Sequence, residues 1–244
     1  MKHIPNILTL ANLLCGCCAI VCFLTGLNLE NYTLGFWFFC AGFIFDAADG
    51  PIARKLGVSS PLGKELDSLA DMVSFGVLPG VILYVLLLKS FAFDPEWMKY
   101  THAQGFNWRA MPAFLVSVAG GYRLAKFNLD TRQSDVFLGL ATPACTTFVI
   151  GLFLIFIFNT QGLGESLMNP YILYSIIPIL AYLQISELPL MKFRMSSYGW
   201  KGNEARYLFL ATLIIGLVLF QEGVFAFGVF SYIVCSLIGS LIKK

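Results

Sequence analysis

The 244-residue sequence predicts an all-α, polytopic integral membrane helix bundle of about eight transmembrane helices, with both termini cytoplasmic. Three observations carry this. Hydrophobic residues make up 58% of the chain and charged residues 12%, about half the charged share of a soluble domain, and the mean hydropathy is +0.77. Apolar residues run continuously over stretches of roughly 17–25, enough to cross a ~30 Å hydrocarbon core as a helix, without the alternation of a barrel strand. The cations also segregate. With the N-terminus cytoplasmic, Lys2, Arg54, Lys55, Lys64, Arg123, Lys126, Arg132, Lys192, Arg194, Lys201, Arg206, Lys243 and Lys244 fall on the cytoplasmic side, against only Lys89, Lys99 and Arg109 opposite. That asymmetry sets the orientation and requires an even number of spans. The composition excludes intrinsic disorder. A net charge of +2 gives nucleic acid binding no electrostatic support.

The spans follow in order. The first, 6–26, comes after Lys2 and His3 like the core of a signal peptide, but so many apolar segments follow that it reads as a retained span. Spans at 32–53 and 65–88 flank a short basic loop. The sequon Asn31-Tyr32-Thr33 abuts a span and is discounted. The loop 89–108 carries Trp97, Tyr100, His102 and Trp108, read as interfacial anchors. Spans at 109–127, 138–158 and 170–188 come next. The last two, 205–221 and 223–241, are joined at Gln221-Glu222-Gly223 and predict a helical hairpin. The seven cysteines sit in apolar runs and read as buried thiols. The whole, 1–244, reads as one membrane-embedded domain, with a core over about 4–188 and the hairpin over about 205–241.

Four aspartates interrupt this apolar pattern: Asp46, Asp49, Asp67 and Asp71. A carboxylate at mid-membrane costs on the order of 2.5–3.5 kcal/mol, so each needs a reason to be there. Asp46 and Asp49 are three apart and Asp67 and Asp71 four apart, so each pair projects from one helix face. The two helices flank one short loop, and the pairs can face each other at the cytoplasmic surface. Four converging carboxylates repel until a proton or a cation is shared. Hard oxygen ligands suit Mg²⁺ or Mn²⁺ rather than zinc, and two such ions about 3.5–4 Å apart clamp a transferring phosphoryl group. The intervening residues fit phosphate chemistry. Gly50 admits close backbone approach, Ala53 keeps the face small, and Arg54 offers a planar fork. Gly57 and Gly63 permit a tight turn, and Ser60 and Lys64 add donors. A salt-bridged helix pair is the plain structural alternative, but Arg54 and Lys64 are two cations against four carboxylates.

The pattern Asp46-x-x-Asp49-Gly50-x-x-Ala53-Arg54, eight residues, then Gly63-x-x-x-Asp67-x-x-x-Asp71, resembles the signature of the CDP-alcohol phosphotransferase family. The run Leu66-Asp67-Ser68-Leu69-Ala70-Asp71-Met72-Val73-Ser74-Phe75-Gly76 resembles the family's serine-accepting branch. Ile4-Pro5-Asn6-Ile7-Leu8-Thr9 and Tyr122-Arg123-Leu124-Ala125-Lys126-Phe127-Asn128 are similar to its other segments. The likeness covers about residues 4–145 and thins toward the C-terminus. Two positions depart from the pattern. Pro51 stands where relatives often have a basic residue, and it predicts a kink in the second helix. Lys126 replaces the more usual Arg and loses its fork.

The resemblance implies transfer of the phosphatidyl group of CDP-diacylglycerol to the hydroxyl of L-serine, with release of CMP. It implies two divalent ions, Mg²⁺ or Mn²⁺, on Asp46, Asp49, Asp67 and Asp71, with Asp71 as general base. It places Asp49, Gly50, Ala53, Arg54 and Ser60, with Asn6 and Thr9, on the CDP-diacylglycerol. Arg123, Lys126 and Asn128 are candidates for serine, Arg123 foremost. It also implies a homodimer in the cell membrane, in contact with membrane lipid, its active site facing the cytoplasm. Another acceptor, such as glycerol 3-phosphate, inositol phosphate or an amino alcohol, is the nearest alternative. A cation-coupled transporter is the alternative of a different class.

Overall fold

A computed structural model describes residues 3–26, 28–93, 96, 107–129, 137–191, 199 and 203–242. Lys2, Trp97, Lys99, Tyr100, His102, Arg132, Lys192, Arg194, Lys201, Lys243 and Lys244 lie outside the described residues.

Helix α1 (Ile4–Thr25) starts with Pro5 in its first turn, where the missing N–H costs nothing. Asn28 caps α2 (Leu29–Leu56) by accepting from the Asn31 N–H at 3.1 Å. Tyr32 donates to the Gly26 carbonyl and ties the turn. The two helices run antiparallel, with Gly35 against the Phe23 ring and Gly42 against Asn12. α2 continues unbroken through Pro51 and stops at Gly57, whose φ of +63° is a left-handed cap.

Ser60 caps α3 (Pro61–Asp71) by accepting from the Gly63 N–H at 3.0 Å. A π-helical segment, Met72–Val77, follows Asp71 directly and passes into α4 (Leu78–Phe93). Tertiary partners stabilise this widened turn. The Thr146 hydroxyl donates to the Phe75 carbonyl (2.9 Å) and the Ser74 hydroxyl to the Asn12 carbonyl (3.1 Å). Such a turn inside a helix commonly marks a functional site. α4 is the hub of the bundle, with Leu78, Ile82, Leu83, Leu86, Leu87 and Phe91 fully buried.

The predicted span 109–127 forms as a 3₁₀ turn, Trp108–Phe114, leading into α5 (Leu115–Leu129). Gly120 lets α5 lie close against Gly76 of the π segment. Among the described residues one feature departs from an all-helical chain: β1 (Phe137–Leu138) pairs antiparallel with β2 (Pro189–Leu190). It forms where the strands before α6 (Thr142–Phe158) and after α8 (Pro170–Ile185) meet, and their backbone groups need partners. Gly139, at φ +70°, makes that corner, and its N–H donates to Leu188. α6 therefore starts at Thr142 rather than 138. It ends at Asn159, where the chain bends by 103° into a short continuation that includes α7 (Leu163–Leu167).

α9 (Glu204–Phe220) and α10 (Val224–Ile242) form the predicted hairpin. The turn breaks at Gln221, at φ +46°. Phe220 stacks on Phe227 beside the turn, and Gly239 meets Ala205 at the far end.

Among the described residues, four helical stretches are long and apolar enough to cross a membrane: Ile4–Thr25, Leu29–Leu56, Pro61–Phe93 and Glu204–Ser240, the last folding back on itself. The bent α6–α7 pair makes up to five. Large apolar side chains face outward along α1, α2 and α9, including Leu14, Trp37, Ile44 and Val218. In water that surface would be unstable; in a bilayer it is the solvent-matched face.

Candidate active site

Three of the four aspartates, Asp46, Asp67 and Asp71, meet toward the end of the bundle where α1 begins and α2 ends, with Asp49 beside them. Carboxylate oxygens of Asp46, Asp67 and Asp71 lie within 4.8 Å of one another. The Asp46 and Asp71 carboxyls come within hydrogen-bonding distance, an approach that two carboxylates make only with a proton or a cation between them. Asp71 Oδ1 is buried and has no hydrogen-bond partner among the described residues. The donor set thus fits a hard divalent cation: three oxygen ligands, no sulfur or nitrogen, and a buried oxygen that no described protein group satisfies.

Asp49 is placed differently from the other three. One turn along α2 from Asp46, it is buried, and its Oδ2 accepts from the Thr9 hydroxyl at 2.6 Å. This bond holds α1 to α2 at the rim of the carboxylate cluster. It also aims Asp49 into an adjoining cavity of about 170 Å³. That cavity is lined by Asn6, Thr9, Asp49, Gly50, Ala53, Arg54 and Ser60, all the residues read as nucleotide contacts, and by Asp67, which it shares with the cluster. Local geometry explains several of them. A Cβ at Gly50 would sit 3.4 Å from Arg54 Nη1, an ordinary contact that shows the guanidinium folded back over this turn of the helix. A Cβ at Gly63 would come within 3.2 Å of Asn6 Oδ1 and 3.3 Å of Ser60 Oγ. Ser60 also serves as the α3 cap, a structural duty that its sequence reading did not include. Pro5, Val58, Ser59 and Lys64 complete the wall. Of these, Lys64 was legible as a donor, whereas the others carry no chemical signal in a single sequence. The cavity thus has carboxylates at its inner side and Arg54 and Lys64 around it, an arrangement that suits a cation bound to a phosphate.

None of the three serine candidates lines this cavity. Arg123 is half-buried on α5, within electrostatic reach of Tyr232 of α10 and Cys145 of α6, and its Nε is buried with no hydrogen-bond partner among the described residues. Lys126 forms an ion pair with Glu187 at 2.9 Å, half-exposed and so worth little in stability. Asn128 donates to the Ser68 hydroxyl at 2.8 Å, docking the end of α5 on the helix that carries Asp67 and Asp71.

The family model described as CDP-alcohol phosphatidyltransferase matches residues 2–185. Among curated relatives, the CDP-diacylglycerol–serine O-phosphatidyltransferase of Bacillus subtilis is 33% identical over 143 residues, 59% of this chain and 71% of that protein. The protein of the same name from Helicobacter pylori is 28% identical over 228 residues, 93% and 85% of the two chains. That from Methanocaldococcus jannaschii is 28% identical over 216 residues, 88% and 83%.

Proposed function

Because the chain belongs to the CDP-alcohol phosphatidyltransferase family, we propose that it is a phosphatidylserine synthase, transferring the phosphatidyl group of CDP-diacylglycerol to L-serine with release of CMP. The observation that carries this is the carboxylate cluster abutting a cavity walled by Arg54, Lys64 and every residue of the nucleotide motif. The like-named relatives across bacteria and an archaeon support the choice of serine.

The chain's own residues do the following. Asn6, Thr9, Gly50, Ala53 and Ser60 seat the cytidine end, and Arg54 neutralises phosphate oxygens. Asp71 takes the proton of the serine hydroxyl, a weak nucleophile near neutral pH without a base. The serine oxygen then bonds to the phosphorus that carries diacylglycerol, and the bond from that phosphorus to CMP breaks. Two Mg²⁺ or Mn²⁺ ions held by Asp46, Asp49, Asp67 and Asp71 supply, when bound, charge neutralisation of the diphosphate. Arg123 is assigned the serine carboxylate, since it keeps a buried nitrogen with no partner, while Lys126 and Asn128 act at the rim. Transfer of this kind is mostly positioning and charge stabilisation, so a rigid site at a bundle end suffices, and the lipid tails stay in the bilayer.

The reading extends to the whole chain: one domain over 1–244, eight spans, both termini and the site at the cytoplasmic face of the cell membrane, and a homodimer. The apolar helices described above and the cation asymmetry support the spans and the orientation; the family likeness supports the dimer.

The test is CMP release by purified protein in detergent with CDP-diacylglycerol, Mn²⁺ or Mg²⁺, and serine present or absent. Serine-dependent CMP with a phosphatidylserine product is expected. CMP released only with glycerol 3-phosphate, inositol phosphate or an amino alcohol would replace the acceptor and keep the family chemistry. Thr9→Val, which strips Asp49 of its donor, is expected to lower kcat/KM for CDP-diacylglycerol by about 10- to 100-fold, the worth of a hydrogen bond to a charged group. An unchanged value would remove Thr9 from the site.

A further inference from the structure

Asn12 is fully buried, and neither its Nδ2 nor its Oδ1 has a hydrogen-bond partner among the described residues. Burying an unpaired amide is costly, and polar groups kept inside a membrane bundle usually carry function. Its neighbours place it. Thr9 is bonded to Asp49 across the antiparallel α1–α2 pair. Asn12 lies three residues beyond Thr9, and its side-chain oxygen packs against Gly42, one turn along α2 from Asp46. From the other side, Ser74 donates to the Asn12 carbonyl at 3.1 Å. Ser74 is three residues past Asp71, whose Oδ1 is also buried and unpartnered. Asn6, Thr9 and Asn12 form one polar stripe down α1. The first two line the cavity, and the third reaches one turn beneath it.

We propose that Asn12 is a positioning residue of the carboxylate centre: its amide, through one buried water, holds Asp71 Oδ1 and leaves the other oxygen of Asp71 turned toward Asp46. The water accepts from Asn12 Nδ2 and donates to Asp71 Oδ1. Buried waters characteristically satisfy such otherwise unpaired groups. A neutral amide suits this place, because Lys or Arg there would compete with the cation for the carboxylates. The proposal rests on the reading of Asp46, Asp67 and Asp71 as cation ligands.

The experiment is Mn²⁺ binding, by electron paramagnetic resonance in detergent, to the parent protein, Asp46→Asn and Asn12→Leu, with thermal unfolding and CMP kinetics alongside. Leucine keeps the branched outline of asparagine without its polar atoms but is bulkier, so a purely structural Asn12 predicts at most a loss of stability from overpacking, with unchanged Mn²⁺ affinity. A positioning role predicts Mn²⁺ bound about 10- to 100-fold more weakly, kcat lowered by a similar factor, and KM for CDP-diacylglycerol unchanged. Asn12→Ser, which keeps a donor and admits a second water, is expected to recover part of the loss. Parent-like Mn²⁺ affinity in Asn12→Leu, where Asp46→Asn has lost it, overturns the proposal alone. Parent-like affinity in Asp46→Asn overturns the cation reading and the proposal with it. Should Asn12→Leu not fold, Asn12→Ala gives the same comparison, and parent-like affinity there overturns the proposal.

Discussion

Asp71→Asn is expected to lower serine-dependent CMP release by about 10²- to 10⁴-fold, the range for loss of a positioned general base, in a protein that still folds. Asparagine has nearly the shape of aspartate, so packing at the junction of α3 with the π segment survives. It cannot take up the serine proton. Asp71 also belongs to the cation cluster, so a ligand role alone would lower activity too. Metal concentration separates the two. A variant that has lost only a ligand regains turnover as Mn²⁺ is raised to saturation; one that has lost the base does not. Asp46→Asn is the comparison, expected to be substantially rescued by excess Mn²⁺. Residual activity above a tenth of the parent in Asp71→Asn at saturating Mn²⁺ would take the base role from Asp71.

The contrast between these two aspartates shows where sequence reading stops. Helical spacing puts Asp46 with Asp49 and Asp67 with Asp71 on shared faces, and the short loop between the helices turns those faces together. That is local geometry, and it was legible. Which three of the four carboxylates close on one point was not, because Thr9, forty residues away, draws Asp49 aside into the cavity. The π turn after Asp71 was likewise invisible. It depends on hydroxyl and backbone partners from α1 and α6, and no pattern within Met72–Val77 announces them. The same holds for Lys126, whose partner Glu187 is 61 residues distant, and for the unpaired amide of Asn12. The α6–α7 bend had a signal in Asn159, Gln161 and Gly162, all at positive φ, but a lone Asn and Gly after an apolar run mark a helix end without its angle. Long apolar helices are legible because lipid allows few alternatives; long-range polar contacts have no such constraint.

Gly151→Val is expected to be among the most destabilising single substitutions in this chain, because it would unseat the C-terminal hairpin. A Cβ at Gly151 would fall 2.1 Å from the backbone nitrogen of Ala226 and 2.8 Å from its Cα. The obstacle is backbone on a packed helix, so α10 must move away from α6. Overpacking of a core costs about 1–3 kcal/mol, and a displaced helix axis puts this case at or above the upper end. Gly223→Ala is the contrast at the same interface. There a Cβ would stand 3.1 Å from Ile155 Cγ1, a side chain that can yield, and the expected change in thermal midpoint is small. The hairpin lies beyond the residues matched by the family model, yet Tyr232 on α10 is within electrostatic reach of Arg123 and donates to the Met191 carbonyl at 2.9 Å. Shifting α10 therefore disturbs the wall behind the residue assigned to the serine carboxylate, while the cavity between α1, α2 and α3 is untouched. At a temperature where Gly151→Val remains folded, KM for serine is expected to rise while KM for CDP-diacylglycerol stays near the parent value. Equal changes in both constants would mean that the hairpin supports the bundle as a whole and has no particular tie to the acceptor side.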